Sequence, residues 1–386
     1  MVAASSTVRP QKSHADYLLL AFVAALVIVG LQAVYSATFA LSITEHNNVL
    51  YFLLRQGLWA AIGTVLLLVF MAIDYRWWKL VSPILLVLAV ASLVLVLTPQ
   101  FGFSQYGASR WLRLGPLPPT QPSEFVKLAV VLGLATWLSR PRQRTQGLLA
   151  GLFPLAAGLG VITLLIMKQP DLGTALIIIL TAGTMYFLSG ASLQSLTILA
   201  CSGLAGAVLL ISSAAYRLTR WESFLDPWGD PEGKGFHIIQ LLIALGSGGV
   251  WGLGVGASRQ KFFYVPGAHT DGIFAIIGEE MGFVGSVAVI LLFAAVVYRG
   301  ARIIQRAPDA FGSLLATGIV SWITYQTLIN IGGITRAIPL TGIPLPFVSY
   351  GGSSLAATMA AVGILLSISR YTKKPELPGT GTPEDR

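Results

Sequence analysis

The sequence predicts an all-α, polytopic integral membrane protein of about ten transmembrane helices. Three observations predict it. Of the 386 residues, 55% are hydrophobic and 11% are charged, with a mean hydropathy of +0.75. A soluble domain is about one quarter charged, so polar surface is too scarce here to cover a soluble globule, and a soluble enzyme is excluded. Apolar runs recur at a length that suits a hydrocarbon layer of about 30 Å, which needs about 20 helical residues. Finally, Lys and Arg collect in alternate connections between those runs.

In chain order the runs are 17–37, 50–73, 80–97, 125–138, 147–167, 172–188, 193–213, 273–298, 311–331 and 348–368. The fourth and sixth are short, which suits tilted or half-buried helices. Backbone polar groups cannot remain unpaired in lipid, and no alternation of period two marks barrel strands, so each run is expected to be a helix. The first run is longer than the apolar stretch of a cleavable signal peptide and continues into the pattern.

With the N-terminus inside, the cytoplasmic connections and tails hold 14 of the 25 basic residues and six acids, so nearly all of the +9 net charge falls on one side. Both termini are therefore expected in the cytoplasm of a multi-pass protein of the bacterial cytoplasmic membrane. Residues 1–16 and 371–386 are read as polar tails flanking a transmembrane domain at 17–370. A basic nucleic-acid-binding face is not the source of the charge, because the basic residues are scattered between apolar segments. The single cysteine, Cys201, lies in an apolar run and supports neither a disulfide nor a thiolate cluster.

Most connections are short. The exceptions lie on the predicted outer side: a large loop at 215–272, and a loop at 98–122 carrying Arg110, Trp111 and Arg113. Within the large loop, residues 237–245 suit a helix lying along the interface. The glycines at 246, 248, 249, 252, 254 and 256 lack the strand–turn–helix context of a nucleotide site and are read as close packing or a tight re-entrant turn.

Ionisable residues at the ends of spans are candidates for function. Glu124 and Lys127 open the fourth span at i and i+3, on one helix face behind Pro122. They form either an ion pair closing a helix end or a site that sets Lys127 against a phosphate or acidic partner. Asp171 in Gln169-Pro170-Asp171-Leu172-Gly173-Thr174 sits where a helix cap belongs. His269, Thr270 and Asp271 gather just before the eighth span, with Glu279 and Glu280 in its first turns. Capping alone needs one such residue, so this cluster is read as functional, with Asp271 as a base or metal ligand. Pro339 to Ser354 mixes prolines, glycines and hydroxyls, including Ser349 and Ser353, beside the last span. Broken backbone at that depth implies a polar cavity or burial in protein.

Taken together, Gly107-Ala108-Ser109-Arg110-Trp111, Gln121-Pro122-Ser123-Glu124 with Lys127, the Asp171 motif, His269-Thr270-Asp271 with Gly278-Glu279-Glu280, and Leu345 to Ser354 resemble the SEDS family (shape, elongation, division and sporulation) of bacterial cell-wall polymerases. The resemblance covers nearly the whole chain. Phe224-Leu225-Asp226-Pro227-Trp228 and Ser258-Arg259-Gln260-Lys261 look more like the division branch, FtsW, than the elongation branch, RodA.

The resemblance implies a peptidoglycan glycosyltransferase that polymerises lipid II, an undecaprenyl-pyrophosphate-linked disaccharide peptide, at the outer face of the cytoplasmic membrane during cell division. It implies a single-span class B penicillin-binding protein, a transpeptidase, as partner, with membrane lipids around it and no nucleic acid. The family's catalytic aspartate falls on Asp271. Arg110, Trp111, Glu124, Lys127, His269, Thr270, Glu279, Glu280, Ser349 and Ser353 are its substrate-binding candidates. Such a transfer needs a base and positive charge for the leaving pyrophosphate, for which Arg110, Lys127, Arg217 and Arg336 are available. A divalent cation at the pyrophosphate is the one cofactor left open. Gly267 stands where the family usually has Glu, and Gly272 where it usually has Phe, so the loop's conformation is expected to differ there. The competing readings are a lipid II flippase, which wants charge through the depth of the bundle, and a nonenzymatic scaffold of the division machinery.

Overall fold

The computed structural model describes residues 14–105, 108–113, 119–140, 151–212, 215–262 and 264–371. Most of the two tails, the basic connection holding Arg142 and Arg144, the start of the fifth predicted span and Gly107 lie outside the described residues. In chain order the elements are α1 (Tyr17–His46), α2 (Tyr51–Ala72), α3 (Trp77–Val96), β1 (Gly102–Gln105), β2 (Ala108–Leu112), α4 (Pro122–Leu138), α5 (Phe153–Met167), α6 (Leu172–Leu188) and α7 (Leu193–Ser212). They continue with α8 (Ala215–Leu225), α9 (Phe236–Ser247), α10 (Ile273–Arg306), α11 (Ala310–Ile334) and α12 (Gly352–Ser369). Each of the ten predicted spans corresponds to a helix, and the fold is the all-α membrane bundle expected. The additions are α8 in the large outer loop and a small antiparallel hairpin, β1–β2, in the 98–122 loop.

Among the described residues, α1, α2, α3, α10, α11 and α12 are long and apolar enough to cross a membrane. Helix starts are set by the residue types that accept from free N–H groups. Asp16, Asp171 and Asp309 cap α1, α6 and α11 through Leu19 N, Thr174 N and Gly312 N, and Pro122 occupies the first turn of α4. Asp171 therefore caps as the sequence suggests.

The bundle is organised around α12, in which every residue from Ser353 to Ser369 is buried. A helix apolar on all sides has no solvent face and belongs in an interior. It packs on α2, α4 and α11. By contrast α2, α3 and the second half of α10 leave Leu54, Leu80, Val87, Phe283 and Leu291 exposed, as lipid-facing helices do.

The eighth predicted span is not one straight helix. At Gly282 the backbone turns to φ 67° and ψ −164°, and α10 breaks there. The break leaves backbone groups without helical partners. The glycine-rich turn after α9 supplies them: Leu253 N and Gly254 N donate to Glu279 O and Glu280 O, while Phe283 N and Val284 N donate to Gly249 O and Val250 O. Only glycine fits at Gly252, where a β-carbon would lie 2.2 Å from Glu280 O. The predicted tight turn is thus present. The predicted span 273–298 is corrected to an inner segment whose residues from Ile273 to Glu280 are all buried, followed by the longer stretch to Arg306.

Candidate functional site

Asp271 lies just before α10 and is half-buried. The N-cap position of α10 is Gly272, which has no side chain to cap with. The Asp271 carboxylate accepts instead from Thr270 Oγ1 at 3.0 Å. Its loop is held by the Gly267 carbonyl, which accepts from Thr270 N, Gly272 N and Thr270 Oγ1. Gly267 takes φ +64°, and a β-carbon there would lie 2.6 Å from Asp271 Oδ1. One of the two departures from the family pattern therefore makes room for the carboxylate directly.

Around Asp271 the non-helical segment between α11 and α12 acts as a hub. Asn330 Nδ2 donates both to Asp271 O at 2.9 Å and to Ile343 O at 2.7 Å, joining the two loops through α11. Tyr350 N donates to His269 O. Gln56 of α2 donates to Ser349 O and accepts from Gly351 N. Gln326 of α11 donates to Pro344 O, and Arg220 of α8 donates to Thr341 O. Broken backbone is thereby satisfied inside the protein, as burial at this depth requires. Residues 343, 345 and 347–349 are buried.

Lys127 and Glu124 are 1% and 2% exposed and form an ion pair at 2.9 Å. Lys127 also donates to Gln326 Oε1 at 2.7 Å and sits over the Trp322 ring. Its cation is thus engaged inside α4 and α11, and Gln326 links it to the outer segment at Pro344. Arg110 donates to Gln169 O and Pro170 O, holding the turn between α5 and α6. Trp111 is half-buried on β2, paired in register with Phe103. Ser349 Oγ accepts from Leu345 N and Ser353 Oγ from Gln121 N, so both hydroxyls hold the hub segment and the start of α4. Arg336 donates to Phe224 O and Leu225 O at the end of α8. Arg217 is half-buried on α8.

The structure does not bring Glu279 and Glu280 to Asp271. Glu279 accepts from Ser258 Oγ, Arg259 N and Gln260 N. Glu280 accepts from Ser36 Oγ, Ser258 N and Lys261 Nζ, in a buried ion pair at 3.2 Å. Both carboxylates fold the 256–261 turn onto α10 and α1.

His269 packs against Phe52 and Tyr350, with ring centroids 5.6 Å away in each case. Burial lowers its pKa, and the nearby Asp271 carboxylate opposes that shift. His237 of α9 is likewise pushed down by burial. Asp271 opposes the shift, Arg220 reinforces it, and a hydrogen bond to the Pro266 backbone opposes it. Asp271 thus sits with two histidines biased toward the neutral form and with Arg220 beside the Thr341–Gly342 turn. A β-carbon on Gly342 would lie 3.7 Å from Asp271 Oδ2. Asn330, Gln56, Gln326 and Arg220 carry this arrangement and were not singled out from sequence. Buried amides inside apolar spans were the signal for the first three, since such groups must find partners.

The FTSW_RODA_SPOVE profile, described as a cell cycle protein, matches residues 16–374. The chain is 44% identical to the stage V sporulation protein E of Bacillus subtilis (strain 168), over 94% of this chain and 99% of that one. It is 41% identical to a probable peptidoglycan glycosyltransferase FtsW of Trichlorobacter lovleyi, over 94% and 95%. Among solved structures, one chain of a peptidoglycan synthase complex, described for its structural coordination of polymerization and crosslinking, superposes with a TM-score of 0.75 at 28% identity, over 93% of this chain and 99% of that one. The rod shape determining protein RodA of Thermus thermophilus superposes with a TM-score of 0.68 at 27% identity, over 93% and 98%. With a family profile matched over residues 16–374 and relatives this similar along almost its whole length, the chain belongs to the FtsW/RodA/SpoVE family of cell cycle proteins.

Proposed function

We propose that the chain is a peptidoglycan glycosyltransferase that extends glycan strands from lipid II at the outer face of the cytoplasmic membrane during cell division, with Asp271 as general base. The observation that carries the assignment of the base is that Asp271 is not consumed by helix capping: Gly272 holds the cap position, and the half-buried carboxylate is held by Thr270. Relatives named as probable peptidoglycan glycosyltransferases, 41% identical in one case, support the reaction class. In this reading a sugar hydroxyl loses its proton to Asp271 as its oxygen bonds to the anomeric carbon. The bond from that carbon to the lipid pyrophosphate breaks, and its electron pair leaves with the phosphate oxygen. Arg220 is the cation best placed to meet that oxygen, because it is exposed and already anchored on the Thr341 turn beside Asp271.

A divalent cation would find Asp271 as the protein's contribution. Among the described residues no three His, Cys, Asp or Glu side chains cluster as a cation cage. A single-span transpeptidase is the proposed partner, supported by the fold shared with a chain of a synthase complex. Cytoplasmic termini follow from the Lys and Arg asymmetry. A role in sporulation is the second reading, favoured by the 44% identical stage V protein.

The test is polymerisation of labelled lipid II by the purified chain, alone and with its transpeptidase, for the parent and Asp271→Asn. Asn keeps the shape and caps as well as Asp but cannot take a proton. Loss of glycan with unchanged thermal stability is expected. Normal polymer from Asp271→Asn would remove Asp271 as the base, and a variant that makes no glycan yet still moves lipid II would separate catalysis from flipping.

A further inference from the structure

We infer that the end of the bundle opposite Asp271 holds a binding site for the phosphate headgroup of an anionic phospholipid. A cavity of about 330 Å³ lies where the start of α1, the last turns of α10 and the end of α12 meet. Its floor is built by polar contacts. Asp16 N donates to Ser369 Oγ, and Arg299 donates to both Asp16 oxygens, at distances between 2.6 and 3.1 Å. That pair is electrically satisfied, whereas the two arginines one and two turns further along α10 have no ion pair among the described residues. Arg302 is half-buried in the wall and rests on the Tyr298 ring, with its guanidinium carbon 5.9 Å from the ring centroid. Arg306 is exposed at the rim and has no acidic partner among the described residues.

Among the described residues the cavity therefore carries a net positive charge from Arg302 and Arg306, beyond the Asp16–Arg299 pair. Two guanidinium groups facing one space suit a phosphodiester, which accepts paired N–H donors. Arginines in a last helical turn often only face solvent and complement the helix dipole. What distinguishes this site is its lipid-side wall. Tyr17 and Leu18 line the cavity and are 62% and 56% exposed, on a helix that crosses the membrane. An aromatic and an aliphatic side chain at a bilayer boundary flank headgroups and the first acyl carbons. A free phosphate would use the arginines but not this apolar side; a phospholipid uses both. The position also fits the leaflet that the basic connections face, where anionic headgroups gather at basic pockets between helices. The inference is independent of the proposed reaction, since it needs only that these helix ends lie at a bilayer surface.

Native mass spectrometry of the full chain in detergent, with phosphatidylglycerol, phosphatidylcholine or inorganic phosphate added in turn, tests it. The parent should retain phosphatidylglycerol in preference to phosphatidylcholine. Arg306→Gln should reduce that preference about fivefold, and Arg302→Gln/Arg306→Gln should reduce it by more than about tenfold. Because Arg306 is exposed at the rim, the single variant is expected to keep the fold, which an unchanged thermal midpoint checks. Equal retention of the two lipids, or unchanged selectivity in both variants, would overturn the site. Inorganic phosphate displacing the lipid and protecting the protein equally well would reassign it to a soluble anion.

Discussion

Gly267 and Asp271 share one small space: a β-carbon on the glycine would lie 2.6 Å from Oδ1 of the aspartate and 2.9 Å from Thr270 Oγ1. The same glycine holds φ +64° and offers its carbonyl to three donors of the Asp271 turn. Backbone conformation and steric room thus act at a single residue to set where the carboxylate points.

Gly267→Ala is accordingly expected to lower lipid II polymerisation by more than about tenfold. A left-handed conformation at a non-glycine residue costs about 1–2 kcal/mol, and the carboxylate must also move aside. The thermal midpoint should fall only modestly, because the change is confined to one turn outside the helices. Full activity in this variant would show that the carboxylate's position tolerates displacement.

Lys127 and Glu124 should behave as a buried couple. Replacing either one alone, Lys127→Met or Glu124→Gln, leaves a buried group without its partner and is expected to cost about 3–5 kcal/mol. The double variant should recover a large part of that loss. Additive losses in a double-mutant cycle of thermal or denaturant unfolding would mean that the 2.9 Å contact is not a coupled pair.

Acid should weaken the site. The pKa values of His237 and His269 are pushed down by burial, whereas an unfolded histidine titrates near 6.5. As pH falls through about 6.5 the unfolded chain takes up protons that the folded chain does not, so stability is present above that value and is lost below it. The thermal midpoint should drop between about pH 7.5 and pH 5.5, and His269→Gln should flatten the slope. An unchanged slope in that variant would assign the acid sensitivity elsewhere.

Orientation can be read with single cysteines in a Cys201→Ser background. Glu232 and Gln305 are both exposed and lie on opposite sides in the proposed topology. An impermeant thiol reagent applied to intact cells should label Glu232→Cys and spare Gln305→Cys. The reverse pattern would invert the chain and place Asp271 inside.

By itself the sequence determined what depends on neighbours along the chain. Hydropathy summed over a span, charge in alternate loops, and an Asp or Pro at a helix start are local and additive, so the ten helices and the Asp171 cap are readable without contacts. Its motifs also marked the segment 339–354 and the Asp271 loop. Tertiary structure decided which of those polar groups meet. Glu279 and Glu280 follow Asp271 by eight and nine positions yet pair with Ser258, Lys261 and Ser36, because about two turns of helix carry them away from it and the turns after α9 fold onto that part of α10. Gln56 and Ser349 are 293 positions apart, and Asn330 reaches Asp271 across 59. A buried amide in a span announces that it needs a partner, but hydrogen bonding is directional and short-ranged, so only the packed arrangement of helices selects which carbonyl it finds.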